Sequence, residues 1–129
     1  MSREYVTGER ERSRAYSRAV KVKGGTTVYL AGIGGDADAQ GRSLAGNFAG
    51  QVHRVFERMG EVLAQAGGTL ADVVTMTVFV TDPRYGDEFI EIRQQYFPGG
   101  FPASALIGVH SLARPQMLVE VQAIAVLAD

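Results

Sequence analysis

The run Asp72–Val80 (DVVTMTVFV) constrains this chain more than any other stretch. Val, Thr and Phe at this density predict a β-strand. Alternation along it puts Val74, Met76, Val78 and Val80 on one face, and Val73 and Phe79 on the other. The strand is therefore apolar on both sides, and any sheet built around it needs cover on both faces.

The rest of the pattern offers two helices for that task. Phe48, Val52, Val55, Phe56, Met59, Val62, Leu63 and Ala66 recur at spacings of three and four, one continuous apolar stripe. Gly67-Gly68 closes this helix, and Asn47 or Ser43 caps its start. Asp82-Pro83 ends the strand. A second helix then carries Tyr85, Phe89, Ile92 and Tyr96 and stops at Pro98-Gly99-Gly100. Two early runs, Ala19–Lys23 and Thr27–Ala31, flank Gly24-Gly25 and predict a hairpin. Ala105–Val109 and Leu118–Val126 predict two last strands. The expected order is β-β-α-β-α-β-β, an α+β class with both helices on one face of the sheet. The other face stays apolar and unpartnered, which predicts self-association.

At 129 residues the chain is read as one domain, 1–129, with the Arg- and Glu-rich segment 1–14 expected to be a flexible or loosely packed lead-in. That segment lacks the apolar stretch of a signal peptide, and no window has the length of a membrane span. The net charge of −1 gives no electrostatic drive toward nucleic acid or an anionic membrane. With no cysteine there is neither a disulfide framework nor a thiol nucleophile. The expected setting is cytoplasmic, with no cofactor.

Glu120 is the most informative polar residue, because it lies within LVEVQAIAV. A carboxylate in such a strand is costly unless it is paired, hydrogen-bonded or set at a cleft. It reads either as an edge or ion-pair position, or as a general acid/base. Gly32–Ala37 fits the spacing G-x-G-x-x-G/A, but no helix opens there and no βαβ unit surrounds it, so it reads as a tight loop. Ser104 and His110 are separated by roughly 20 Å of extended chain, which excludes a nucleophile–base pair within one subunit. His53 lies off the apolar stripe and is expected in solvent. Two histidines without paired spacing make no metal site.

Several segments together resemble the RidA/YjgF family. Ala15-Tyr16-Ser17-Arg18-Ala19-Val20 is similar to the family's P-Y-S-Q-A-V, and Val28-Tyr29-Leu30-Ala31-Gly32 to its V-Y-V-S-G. DVVTMTVFVTD, Phe101-Pro102-Ala103, Val119-Glu120-Val121 and Ala123-Ile124-Ala125 follow in order and spacing. The resemblance implies a chorismate-mutase-like fold, a homotrimer with sheets inside, and small-molecule clefts between subunits. It implies hydrolysis of reactive imines or enamines to keto acids and ammonia, or their tautomerisation. The alternatives are a non-catalytic ligand-binding or regulatory trimer, and an RNA-processing or chaperone-like role. Carried over position by position, it implies catalytic roles for Glu120 and Tyr16, and substrate contacts at Ser104, Gly32, Ala105, Ile90 and Arg18. The family's active members have an arginine where Ser104 stands, and often an asparagine where Ile90 stands. A serine cannot replace an arginine fork on a carboxylate. The expected substrate is therefore a neutral or bulky intermediate, unless Arg18, Arg93 or Arg114 supplies the missing charge.

Overall fold

The structure is a computed structural model describing all 129 residues. The strand expected over 72–80 forms β5, Val73–Val80, at the centre of a five-stranded sheet. The other members are β3 (Thr26–Tyr29), the two-residue β4 (Ile33–Gly34), β6 (Ala103–Gly108) and β7 (Val119–Leu127). Strand β7 runs antiparallel to β5 on one side and to β3 and β4 on the other. Strand β6 is the far edge and runs parallel to β5. A parallel neighbour needs a crossover, and the helix between β5 and β6 supplies it.

The apolar stripe of α2, Phe48–Gln65, packs on one face of this sheet. Asn47 is its cap: the side-chain oxygen accepts from the Gly50 amide at 2.8 Å. Gly67, at φ 90°, turns the chain out of the helix, and the Gly68 amide closes on the Leu63 carbonyl at 2.8 Å. That left-handed turn is the reason for a glycine there. Helix α3, Gly86–Arg93, lies beside α2 and adds Phe89 and Ile92 to the core. Phe56, Phe89, Met59 and Leu63 are fully enclosed, each contributing about 2–3 kcal/mol of transfer free energy.

Strand β5 alternates with one interruption. Met76, Val78 and Val80 face the helices as expected, but Val73 joins them and Val74 does not. The pairing with β7 shifts register between Val73 and Thr75, and the bulge moves Val73 to the helix side. The opposite face carries Thr75, Thr77 and Phe79, with Glu120, Gln122 and Ile124 of β7 and Ala105 and Ile107 of β6 beside them. No helix covers it. Tyr29, 78% exposed, and Ile107, 42% exposed, are among its apolar groups.

Two expectations change at the N-terminus. Residues 1–14 are structured: Ser2–Val6 form β1 and Glu9–Ser13 a short helix, α1. The hairpin across Gly24-Gly25 is replaced by a different pairing. Strand β2 (Ala19–Lys23) pairs antiparallel with β1, while β3 pairs with β7. The two glycines, at φ 77° and 87°, still turn the chain. The ladder partner of β2 is the charged strand that composition alone set aside. Arg3 ties this arm to the main sheet by donating to the carbonyls of Ala71 and Val126.

Candidate functional site

The largest cleft, about 400 Å³, opens between the β6 edge, the start of α3 and the segment after α1. Arg14, Tyr16, Arg84, Asp87, Ile90, Arg93, Ser104 and Leu106 are among its walls. Tyr16 is brought there by the chain running along β6: the Ser17 amide donates to the Pro102 carbonyl at 2.9 Å, and its hydroxyl to the Phe101 carbonyl at 2.6 Å. The turn that delivers it passes through Ala15, which is fully buried at φ 59°.

Arg93 organises the inner end. It is 2% exposed, and its Nη1 donates to Ser104 Oγ at 2.6 Å. Its Nη2 donates to the Arg14 carbonyl at 3.2 Å, and Nε has no partner. The guanidinium lies 5.1 Å from the Phe89 ring centroid. Burial, reinforced by the nearby positive charge of Arg14, pulls its pKa down to about 10, with Tyr16 acting the other way. The rim charges are paired: Arg14 with Asp87 at 3.3 Å, and Arg84 with Asp82 at 2.7 Å.

Glu120 lies elsewhere. It is half-buried on the uncovered face of β7, opposite Gly34 and Phe79 in register. Gly32 leaves it room, since a Cβ there would collide with the Glu120 carboxylate. The loop beside it is clamped by Arg114, which grips Asp36 with two hydrogen bonds of 2.8 Å. Hydrogen bonding from Arg114 holds the Asp36 carboxyl down at about 2. Fully buried Gln51 stitches the same loops together, donating to the carbonyls of Leu44 and Gln116 and accepting from the Leu118 amide.

Thus Tyr16, Ile90 and Ser104 meet in one cleft, while Glu120, Gly32 and Ala105 belong to the other face of the sheet. Arg18 is not in the cleft; it pairs with the buried Glu11 at 2.9 Å. His53 is half-buried, with Nδ1 2.6 Å from the Tyr96 hydroxyl, rather than in solvent. Ser104 Oγ is engaged by Arg93 and not by His110, which is exposed. Sequence reasoning did not single out Arg14, Arg84 or Leu106 as cleft walls. It named Arg93 only as one of three cations. The usable signal was its position one turn after Phe89 on the apolar side of α3. No group of three or more His, Asp and Glu side chains is arranged to hold a metal ion, and no helix is long and apolar enough to cross a membrane.

Residues 9–127 match the family described as Endoribonuclease L-PSP. The chain belongs to that family, also called RidA/YjgF. It is 33% identical to human 2-iminobutanoate/2-iminopropanoate deaminase over 111 residues, 86% of this chain and 79% of that protein. It is 36% identical to protein DfrA of Myxococcus xanthus over 86% of this chain and 84% of that one. Among solved structures, a conserved Rid-family protein of Yersinia pestis superposes with a TM-score of 0.86 at 30% identity, over 98% of this chain and all of that one. RidA from an Antarctic Psychrobacter gives 0.73 at 33% identity, over 87% of this chain and 88% of that one. The α+β fold is the chorismate-mutase-like fold of this family.

Proposed function

We propose that this protein hydrolyses a small imine or enamine, and that each active site forms between two subunits of a homotrimer. The observation that carries this reading is the separation of the two halves. Tyr16, Ser104 and Arg93 line the edge cleft, while Glu120 sits on the uncovered sheet face with Gly32 cleared around it. A neighbouring subunit packed on that apolar face brings the second half to the first. Relatives named as 2-iminobutanoate/2-iminopropanoate deaminases support the reaction class.

In the reaction, Glu120 accepts a proton from water as the oxygen bonds to the C=N carbon. The C=N electron pair moves to nitrogen, which takes the proton that Glu120 has just accepted, giving the neutral carbinolamine. Glu120 then accepts the carbinolamine hydroxyl proton as the C=O bond forms, the C–N bond breaks, and the nitrogen leaves as ammonia with that proton returned from Glu120. An enamine enters the same path after protonation at carbon. Tyr16 and Ser104 orient the substrate by hydrogen bonds.

The test is to generate 2-iminobutanoate in situ with an amino-acid oxidase and follow 2-oxobutanoate formation against a semicarbazide trap. Acceleration that Glu120→Gln removes, by protein whose mass in light scattering is three times 13.9 kDa, is the expected result. A trimer that binds 2-oxobutanoate without accelerating hydrolysis would instead be a binding protein. A monomer of 13.9 kDa would remove the inter-subunit site.

A further inference from the structure

Four polar residues of this protein are buried, and three of them surround a single turn. Glu11 and Ser17 lie on either side of Tyr16 in the chain, and Arg93 donates to the Arg14 carbonyl just before it. The fourth, Gln51, serves the loops beside Glu120. A buried polar side chain is costly unless it is matched, so this concentration marks a place where geometry matters. The Glu11 carbonyl accepts from the amides of Arg14 at 3.0 Å and Tyr16 at 3.1 Å. Its carboxylate accepts from Arg18 Nη2 at 2.9 Å. Gly8 leaves that carboxylate its place, since a Cβ there would stand 3.0 Å from Glu11 Oε1. Beyond Tyr16 the backbone is fixed on two flanks: the Ser17 amide donates to the Pro102 carbonyl and the Arg18 amide to the Val6 carbonyl, both at 2.9 Å. The Arg18 side chain is 70% exposed, so solvent screens its attraction for Glu11. Burying the Glu11 carboxylate opposes what attraction remains. The pair therefore adds little to stability, and what it fixes is direction.

We propose that Glu11 and Arg18 are the positioning residues of the cleft: together they close a brace around residues 12–17 and hold the Tyr16 phenol toward the substrate. Neither of them touches the substrate. Arg18, expected from the sequence as a substrate contact, acts through Tyr16 instead. The turn needs a brace because Ala15 sits at φ 59°, a conformation that an L-residue leaves unless its neighbours hold it. Glu11 supplies that hold, with its carbonyl bonded to the residue on each side of Ala15 and its carboxylate to Arg18 beyond them. A side chain held in place before the substrate arrives loses no freedom on binding it. The part Tyr16 plays in turnover rests on the hydrolytic reading above, while its placement by the brace does not.

The experiment is a double-mutant cycle read by two signals. The first is kcat for 2-iminobutanoate generated in situ, followed against a semicarbazide trap. Glu11→Gln, which keeps the size and removes the charge, lowers kcat about tenfold in the wild-type background and less than about twofold in the Tyr16→Phe background. Arg18→Met behaves as Glu11→Gln does, and Arg18→Lys, which can still pair with Glu11, retains most of the turnover. Arg18→Met alters an exposed side chain and so covers the case in which Glu11→Gln fails to fold. The second signal needs no turnover: NMR of protein isotope-labelled at tyrosine Cζ. Of the 5 tyrosine resonances, the one missing from Tyr16→Phe belongs to Tyr16. It shifts or broadens in Glu11→Gln and in Arg18→Met, while that of Tyr29, exposed on the uncovered sheet face, stays in place. An equal loss of turnover in both Tyr16 backgrounds assigns Glu11 to general stability and overturns the proposal. A Tyr16 resonance unmoved in both variants overturns it too. A Tyr16 resonance that moves in a protein with no turnover at all leaves the brace standing and removes only the hydrolysis.

Discussion

Ser104 and Glu120 face opposite sides of the same sheet. Ser104 pairs in register with Met76, and Glu120 with Phe79, three residues further along β5, so alternation sends the two side chains apart. A site needing both must draw them from different subunits. Co-expressing Arg93→Gln and Glu120→Gln chains tests this directly. Each pure variant should be nearly inactive. Random mixing in a ring of heterologous contacts leaves about a quarter of the clefts with both intact halves, so about a quarter of wild-type turnover should return. Mixed trimers as inactive as either parent would show that both groups serve the same subunit's site, or that one of them serves none.

Gly32 offers a way to disturb Glu120 without removing it. A methyl at residue 32 meets the far end of a flexible side chain, the Glu120 carboxylate, and not backbone. The carboxylate can swing aside at small cost in stability. Gly32→Ala should therefore lower turnover by about tenfold or more, consistent with a general base displaced from its proton. Its melting temperature should stay within a few degrees of wild type, the effect of less than about 1 kcal/mol. A stability loss with unchanged turnover would make Glu120 a structural residue.

The pattern of this sequence settles most of the fold because its strongest signals are long and periodic. The α2 stripe and the dense β5 run carry enough consistent residues to outweigh local exceptions. The signals that misled are short. The bulge at Val73 and Thr75 changes which valine is buried, and no period-two pattern marks it. Strand β1 (SREYV) alternates exposed Ser2, Glu4 and Val6 with half-buried Arg3 and Tyr5, so composition reads it as solvent-facing until its partner β2 is known. The site divides the same way. Tyr16, Ile90 and Ser104 were legible through motif positions. Arg93 became visible only when the crossover laid α3 against the β6 edge, since a guanidinium on a helix gives no hint of which strand hydroxyl it will reach.

The Asp36–Arg114 clamp should make the loop beside Glu120 sensitive to acid. Asp36 falls from 3.8 to about 2 on folding, chiefly through hydrogen bonds from Arg114. The unfolded chain therefore binds the proton more readily. The stabilisation is fully present above pH 4 and is lost as pH falls from about 4 to about 2. Arg114 is half-exposed, so solvent screening discounts what the pair contributes. Asp36→Asn should melt a few degrees below wild type at pH 7, and the two melting curves should converge as the pH approaches 2. A gap of equal size at pH 7 and pH 2.5 would assign the effect to packing instead of charge.

Ala15 holds the turn on which the cleft depends. It has φ 59° with no exposed surface, the single non-glycine residue in the left-handed region. That conformation costs an L-residue about 1–2 kcal/mol. Its amide donates to the Arg12 carbonyl at 3.1 Å, the preceding carbonyl receives Arg93, and the next side chain is Tyr16. The related family motif has proline at this place, whose ring fixes φ near −65° and which has no N–H to give. Ala15→Pro should therefore lower stability by about 3 kcal/mol, or force 14–16 into another path that withdraws both the Arg14 carbonyl and Tyr16. Affinity for 2-oxobutanoate should fall in either case. Ala15→Gly relieves the backbone but loses a buried methyl of about 0.8 kcal/mol, so its melting temperature should change little. An Ala15→Pro protein with wild-type melting and wild-type affinity would mean that neither the cleft nor Arg93 needs the left-handed turn.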